Sequence, residues 1–433
     1  MSVTTRYGSW NRACKRLRLP LGLVLAMGSA LGFPGAGMAV EFGRAVIGDT
    51  VADRVHADYD PIGIRAGSFM ILPSVDVRGE YSDNIYAERT NRVSDFIVGV
   101  TPTIAARSLW ERHALRVTAR GSFGFYADNS GEDYQDADIS TEGRLDIAEG
   151  STLSFDGIVA RRHEGRESPD DARGDRPTIY YRIKPELTWN QRINRISLRL
   201  RTGVEHLDFN DTMTSTGVVI DEDDRDRLMW TVEGRAGMDV SNSVQAYVSA
   251  LFDDRNYDQA IDGDGFNRDS TGYGVFGGVI VELTGTISGE AFVGYRNQSF
   301  KDPLLTDISG IAGGLNIIWA PTKLTTVTLT GERKVEETTV FGGAGSFTTA
   351  VGVTVDHELR RNLVITLSGR HVDRHYEGVF RNDDEWEGRL GMQYLFNRHF
   401  RLRAGYTYST RKSTAITESF DMNAAYVNLH VDY

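Results

Sequence analysis

Residues 401–408 read Arg401-Leu402-Arg403-Ala404-Gly405-Tyr406-Thr407-Tyr408. Leu402, Ala404, Tyr406 and Tyr408 alternate with Arg401, Arg403, Gly405 and Thr407, which suits a strand whose side chains point to opposite faces in turn. One face is then apolar and the other polar. The pattern recurs where Ile196, Leu198 and Leu200 alternate with Ser197, Arg199 and Arg201. It recurs again where Ile183, Pro185, Leu187 and Trp189 alternate with Arg182, Lys184 and Glu186, with Pro185 expected at a bulge because it cannot donate to a ladder.

Working outward, the same period runs from Phe69 to Tyr433 in segments of about 12 to 16 residues, long for soluble strands and sufficient to cross a bilayer at a tilt. Eighteen strands are expected, from 69–81 to 418–433. The connections alternate in length. Short ones are Glu149-Gly150, Gln191-Arg192-Ile193, Ser241-Asn242, Pro321-Thr322 and Asn397-Arg398; long, acidic ones run from Asp128 to Asp133, Glu164 to Arg176, Asp211 to Asp224 and Asp258 to Ser270. That asymmetry predicts an all-β fold: a transmembrane antiparallel up-and-down β-barrel with short periplasmic turns and long extracellular loops.

The N-terminus agrees. Arg6, Arg12, Lys15, Arg16 and Arg18 precede an apolar run from Leu19 to about Leu31, and Gly37 and Ala39 place small side chains before a cut after Ala39. Residues 1–39 are thus read as a cleavable signal peptide, 40–67 as a short periplasmic leader that either plugs the lumen or hangs free, and 68–433 as the barrel. Removing the signal lowers the formal charge of −12 by five, to −17, which argues against nucleic acid as a partner. The only cysteine, Cys14, falls in the signal. The mature chain then has no thiol for disulfide, metal or catalysis.

Trp110, Trp189, Trp319, Phe396 and Phe400 lie beside short turns and read as a periplasmic aromatic girdle. The chain ends with Val427, Leu429, Val431 and Tyr433 at alternate positions. An apolar alternation closing on a terminal aromatic looks like the signal by which the outer-membrane assembly machinery recognises barrels. The expected location is therefore the outer membrane of a Gram-negative bacterium, with lipid and lipopolysaccharide as neighbours.

Several segments carry a family resemblance. In order they are Tyr81-Ser82-Asp83-Asn84-Ile85-Tyr86 with Asp95-Phe96-Ile97, Tyr126-Ala127-Asp128-Asn129, Gly265-Phe266-Asn267-Arg268-Asp269-Ser270, and Leu283-Thr284-Gly285 with Phe292-Val293-Gly294-Tyr295. Leu324 to Leu329, Val335 to Thr339, Asp356-His357-Glu358-Leu359 and Tyr406 to Ser409 follow. Together, over about 50 to 433, the chain resembles a family of outer-membrane β-barrel porins commonly encoded near exopolysaccharide biosynthesis genes. The resemblance implies a passive pore, in some relatives paired with a periplasmic polysaccharide-export protein, through which finished polymer leaves the cell. It supplies no catalytic residues and no cofactor.

Site candidates therefore come from barrel physics. Arg116, Arg120, Arg182, Lys184, Arg199, Arg201, Arg235, Arg296, Arg370, Arg389, Arg401 and Arg403 share the inward phase and are candidates for lining a path for an acidic saccharide. They equally suit ion pairs with Glu186, Glu205, Glu233, Glu332 and Glu387 that brace the wall. Tyr126, Tyr247 and Phe292 are candidate inward platforms for sugar rings.

Two further clusters are read as bland features. The tracts Asp221 to Asp224 and Asp262 to Gly265 offer oxygen donors without completing a calcium loop, and so read as solvated acidic loops. His371, Asp373, His375 and Glu377 share one strand face without further ligands near in sequence, so no metal is expected. No serine elbow, zinc helix or phosphate loop occurs, and an enzyme is not expected.

The composite expectation is a conduit for exopolysaccharide or capsular polysaccharide export. The alternatives are a general diffusion porin for small hydrophilic solutes and a structural or surface-interaction barrel.

Overall fold

The computed structural model describes residues 50–433 except 53, 55, 57, 284 and 339, so the signal-peptide assignment lies outside the described residues. Eighteen long strands follow one another: β1 Phe69–Ser82, β2 Asp95–Ser108, β3 Ala114–Tyr126, β4 Tyr134–Ala148, β5 Ser151–His163, β6 Ile179–Ile193, β7 Ile196–Phe209, β8 Arg227–Ser241 and β9 Val244–Tyr257. The second half comprises β10 Ser270–Leu283, β11 Ile287–Phe300, β12 Ile308–Thr322, β13 Thr325–Glu336, β14 Gly345–Arg360, β15 Leu363–Glu377, β16 Asn382–Leu395, β17 Phe400–Ser413 and β18 Phe420–Asp432.

Each strand pairs antiparallel with the next, and β1 pairs with β18 from Ser74↔Asp432 to Ser82↔Ala424. The sheet is thus a closed barrel. Closure matters because an unpaired backbone edge in hydrocarbon is costly, and a ring of strands leaves none to lipid. Side chains obey the alternation seen in sequence. On β7, Ile196 and Leu200 are exposed on the outer wall while Arg201, Glu205 and Leu207 are buried inside. Apolar outer residues are satisfied because lipid, not water, wets them.

Both termini and the short connections lie at one end, the periplasmic end by the usual asymmetry of such barrels. Three turns differ from expectation. Gln191-Arg192-Ile193 and Pro321-Thr322 belong to strands, and the turns fall at Asn194-Arg195 and Lys323-Leu324; the next is Asn242-Ser243 rather than Ser241-Asn242. Asn194 adopts a φ of 52°, a left-handed conformation that asparagine tolerates, which moves the reversal past the apolar-polar boundary. The length asymmetry also lapses once, since only Gly378 to Arg381 joins β15 to β16 at the long-loop end.

Pro185 does not sit at a bulge. The β6–β7 ladder omits Lys184 and Pro185 and resumes in the same register, Ile183↔His206 before and Glu186↔Gly203 after. Pro102 produces a matching gap between Val100↔Phe123 and Thr103↔Arg120. Each proline removes a donor locally without displacing the neighbouring strand.

Candidate functional site: the lumen and its two mouths

The lumen wall is built from the inward phase of every strand. There all twelve selected cations lie on the inner face, but their surroundings divide them. Arg182 meets Glu205 at 2.6 Å, Arg201 meets Glu186 at 3.1 Å, Arg235 meets Glu290 at 2.9 Å and Arg389 meets Glu387 at 2.7 Å. Arg401 pairs with Asp432 at 2.8 Å, Arg403 with Asp76 at 3.4 Å, and Arg296 with Asp253. Arg199 donates to Asn190 at 2.9 Å, and Arg370 is also engaged. Glu233 lies 3.6 Å from Arg201 and 3.7 Å from Arg235, and Glu332 lies 3.4 Å from Lys334, so all five bracing carboxylates have a cation within 4 Å.

Arg116, Arg120 and Lys184 differ: among the described residues none has an ion-pair partner. Arg107 is Arg116's cross-strand neighbour, shares the inward phase and is likewise without an ion pair among the described residues. Sequence reading missed it because it ends its strand. The β2–β6 sector therefore carries unengaged cations, whereas cations elsewhere are largely held in the wall.

Of the three inward aromatics, Tyr247 is the most constrained. Its hydroxyl donates to Glu290 at 2.5 Å and the Arg235 guanidinium stacks 3.9 Å from its ring centroid. Gly278 makes this possible, since a Cβ there would stand 2.4 Å from the Tyr247 ring. Phe292 packs edge-on against Phe276, and Tyr126 lies on the inner phase near the rim. Tyr247 serves the wall rather than offering an open platform.

The extracellular mouth is crossed by the β5–β6 connection, residues 164–178. Near its own strands the loop is tied by buried ion pairs. Both oxygens of Glu132 accept from Arg166, at 2.7 and 2.8 Å, and both oxygens of Glu164 accept from Arg225, at 3.0 and 2.9 Å. Such planar two-point contacts fix orientation as well as distance. Ser168 donates to Glu164 at 2.9 Å, and the Arg225 guanidinium lies 4.0 Å from the Phe209 ring centroid.

The loop then reaches the far wall. Arg381 donates to the Pro169 carbonyl at 3.5 Å, Arg411 to the Glu167 carbonyl, and Thr338 to Asp170 at 3.2 Å, while Arg173 pairs with Glu418 at 3.3 Å. These partners belong to β17 and to the connections after β13, β15 and β17, almost half-way round the ring from β5 and β6. The loop is a strap across the lumen. Its enclosed carboxyls respond electrostatically: burial pushes Glu167 up to about 8, against the pull of Arg411, and also raises Asp171. One oxygen of Glu167 has no hydrogen-bond partner among the described residues.

The periplasmic mouth is entered by the leader. Val51 is completely buried and its N–H donates to Thr326 Oγ1 at 3.2 Å, while Arg54 reaches Glu358 at 2.9 Å. Thr326 and Glu358 lie on the inner faces of β13 and β14, well round the ring from β1, which the chain enters through Ile64–Ala66 paired on Phe69 to Ile71. The described leader thus crosses this opening too.

The remaining sequence candidates lie at the barrel's ends or on its outer face. Trp110, Trp319, Phe396 and Phe400 are exposed at the short-turn end, and Trp189 is half-buried there with its indole donating to Ser151. Val427, Leu429, Val431 and Tyr433 share the outer phase of the last strand and its end. His371 and His375 face outward, bonded to Asp384 at 2.8 Å and Asn382 at 2.6 Å, with His371 against Trp386. Carboxylates of Asp211, Asp221 and Asp223 converge within 4.8 Å on an exposed loop, whereas Glu222 turns inward to Arg225.

The residues of the YSDNIY segment prove architectural. Asn84 is fully buried and donates to the Glu88 and Asp421 carbonyls at 2.8 and 2.9 Å, while Asp83 accepts from the Asn423 backbone and side chain, both at 2.7 Å. Asp95 accepts from the Asn129 side chain at 2.9 Å. These bonds stitch the loops beside the barrel's closing strands.

Residues 56–433 match the family model described as Putative beta-barrel porin 2. The chain belongs to that family. It is an outer-membrane, porin-like barrel. Solved structures sharing its outline include OpdK with vanillate from Pseudomonas aeruginosa, 11% identical, covering 84% of this chain and 99% of that one, with a TM-score of 0.44. OccK3 (OpdO) from the same organism is 14% identical, with coverages of 84% and 95% and a TM-score of 0.43. The siderophore receptor PirA from Acinetobacter baumannii is 8% identical, with 84% and 80% covered and a TM-score of 0.46. Among curated proteins none matches the sequence.

Proposed function

We propose that this porin-family barrel is a gated conduit through which an acidic exopolysaccharide or capsular polysaccharide leaves the cell, driven by polymer synthesis upstream. The observation that carries the reading is the strap at 164–178, tied to both sides of the extracellular mouth. Constitutive diffusion of small solutes needs a constriction but no closure tied across the lumen, whereas an export route must stay shut until its cargo or a periplasmic partner arrives. Arg107, Arg116, Arg120 and Lys184 support an acidic cargo. Weak, repeated contacts with polymer carboxylates would guide a chain without holding it.

The test is secreted polysaccharide in a deletion strain, complemented with the intact gene and compared for periplasmic polymer. Polymer lost outside and accumulated in the periplasm is the expected result. Unchanged secretion with reduced small-solute uptake would instead identify a diffusion porin.

A further inference from the structure

The β12–β13 ladder runs from Thr322↔Thr325 to Gly313↔Arg333 and stops there. Above that point Ile308 to Ala312 pair only with β11, and Lys334 to Glu336 pair only with β14. Elsewhere the wall is closed by backbone hydrogen bonds; here side chains close it. Arg333 Nε donates to the Ile311 carbonyl at 3.0 Å and its Nη1 to Thr349 Oγ1 at 2.7 Å, replacing one missing ladder bond. Ile308, Val335, Ala344, Phe347 and Leu305 pack into a buried apolar plug beside it. Phe347 crosses to β12, lying 3.2 Å from where Gly310 would carry a Cβ. Parting this seam needs rotamer changes rather than the breaking of a ladder.

Behind the seam lies a cavity of about 560 Å³, lined by β8 to β13. That volume suits a small ligand. Met229, Leu251, Phe276, Phe292, Ala312 and Val335 give it an apolar surface, which is unusual for a lumen otherwise dressed in ion pairs. Arg296 stands at its polar side. One of its amino groups is committed to Asp253 and Gln298, while Nη1 is buried with no hydrogen-bond partner among the described residues. The cavity's lining also holds Arg255, Arg333 and Lys334 against only two carboxylates, Asp253 and Glu332. A buried guanidinium N–H without an acceptor, next to an apolar surface, is complementary to a carboxylate on an aliphatic skeleton.

We infer that this cavity is a binding site for an amphipathic monocarboxylate, with the carboxylate on Arg296, the hydrocarbon on Leu251, Phe276 and Phe292, and the β12–β13 seam as its route to the outer leaflet. The site is independent of the polymer reading.

The experiment uses the full mature chain refolded in lipid nanodiscs, with octanoate as the probe and octanol as its uncharged counterpart, followed by saturation-transfer NMR. Octanoate is expected to bind saturably and octanol not to. Arg296→Gln should weaken octanoate at least ten-fold, and Leu251→Trp, which fills the cavity and keeps the charge, should do the same. The shift in gel mobility between heated and unheated samples verifies that each variant is folded; if Arg296→Gln fails that check, Leu251→Trp decides. Equal binding of octanol, or no loss in a folded variant, overturns the site. Oleate carried in the bilayer should displace octanoate, and failure to do so overturns the lateral route.

Discussion

The two mouths of the barrel are closed by different chemistry. The extracellular strap is held by buried, two-point ion pairs at its base and by contacts to three connections and a strand on the opposite wall. The described leader has one backbone bond and one ion pair whose arginine is about one-third exposed. Desolvated pairs are costly to break singly because each leaves a charge without its partner, whereas solvated pairs contribute little. The outer closure is therefore the firm one, and the inner closure yields first to whatever arrives from the periplasm.

Replacing 166–175 by a short Gly-Ser linker tests that asymmetry most severely. Single-channel conductance in planar bilayers should rise several-fold; an unchanged value would mean the strap does not limit passage. Arg225→Gln, which strands Glu164, should weaken strap docking by about 3–5 kcal/mol. Hydrogen exchange of the loop amides would report this, and protection as in the parent would show that the far-wall contacts suffice.

Acidity should tune the same latch. Glu167 rises from its ordinary value to about 8 when docked, so the docked strap favours the protonated form. Its contribution is complete below the ordinary carboxylate range and is lost as pH rises through about 8. Open probability should then climb between pH 6 and 9, and Glu167→Gln should flatten that dependence; a slope unaltered by the substitution would assign it to another group. The smallest effect is expected at the inner mouth. Arg54→Ala should cost under about 1 kcal/mol of leader docking and leave barrel stability intact, as denaturant titration would show. A larger loss would make the two closures equals.

Much of the barrel was legible because period-two alternation is imposed by lipid on one face and polar contacts on the other. Strand number and the short-long rhythm followed from it. What the pattern could not reveal is where a loop goes: Glu164 to Thr178 reads as a solvated acidic connection, and only the distant Arg381, Arg411 and Thr338 make it a strap. Arg401 and Arg403 looked equivalent to Arg116 and Arg120 in sequence, yet Asp432 and Asp76, far away along the chain or on another strand, engage the first two. Reversing those two charges would repel carboxylates in the wall, so transport is better probed at Arg116 and Arg120. The seam did leave a trace. Arg333 occupies an outward phase between Gly331 and Val335, and a cation there marks the point at which β13 leaves its neighbour.

The pairing of β1 with β18 also dictates an order of events. Asp76 is hydrogen-bonded to His430 across 354 residues of sequence, so the last strand synthesised completes the contact begun by the first. Until then the growing sheet has two open margins, each able to add a foreign strand. Sealing the cylinder pays the largest loop-closure entropy in the molecule at its final step, which makes late closure slow and gives a catalyst most to do there.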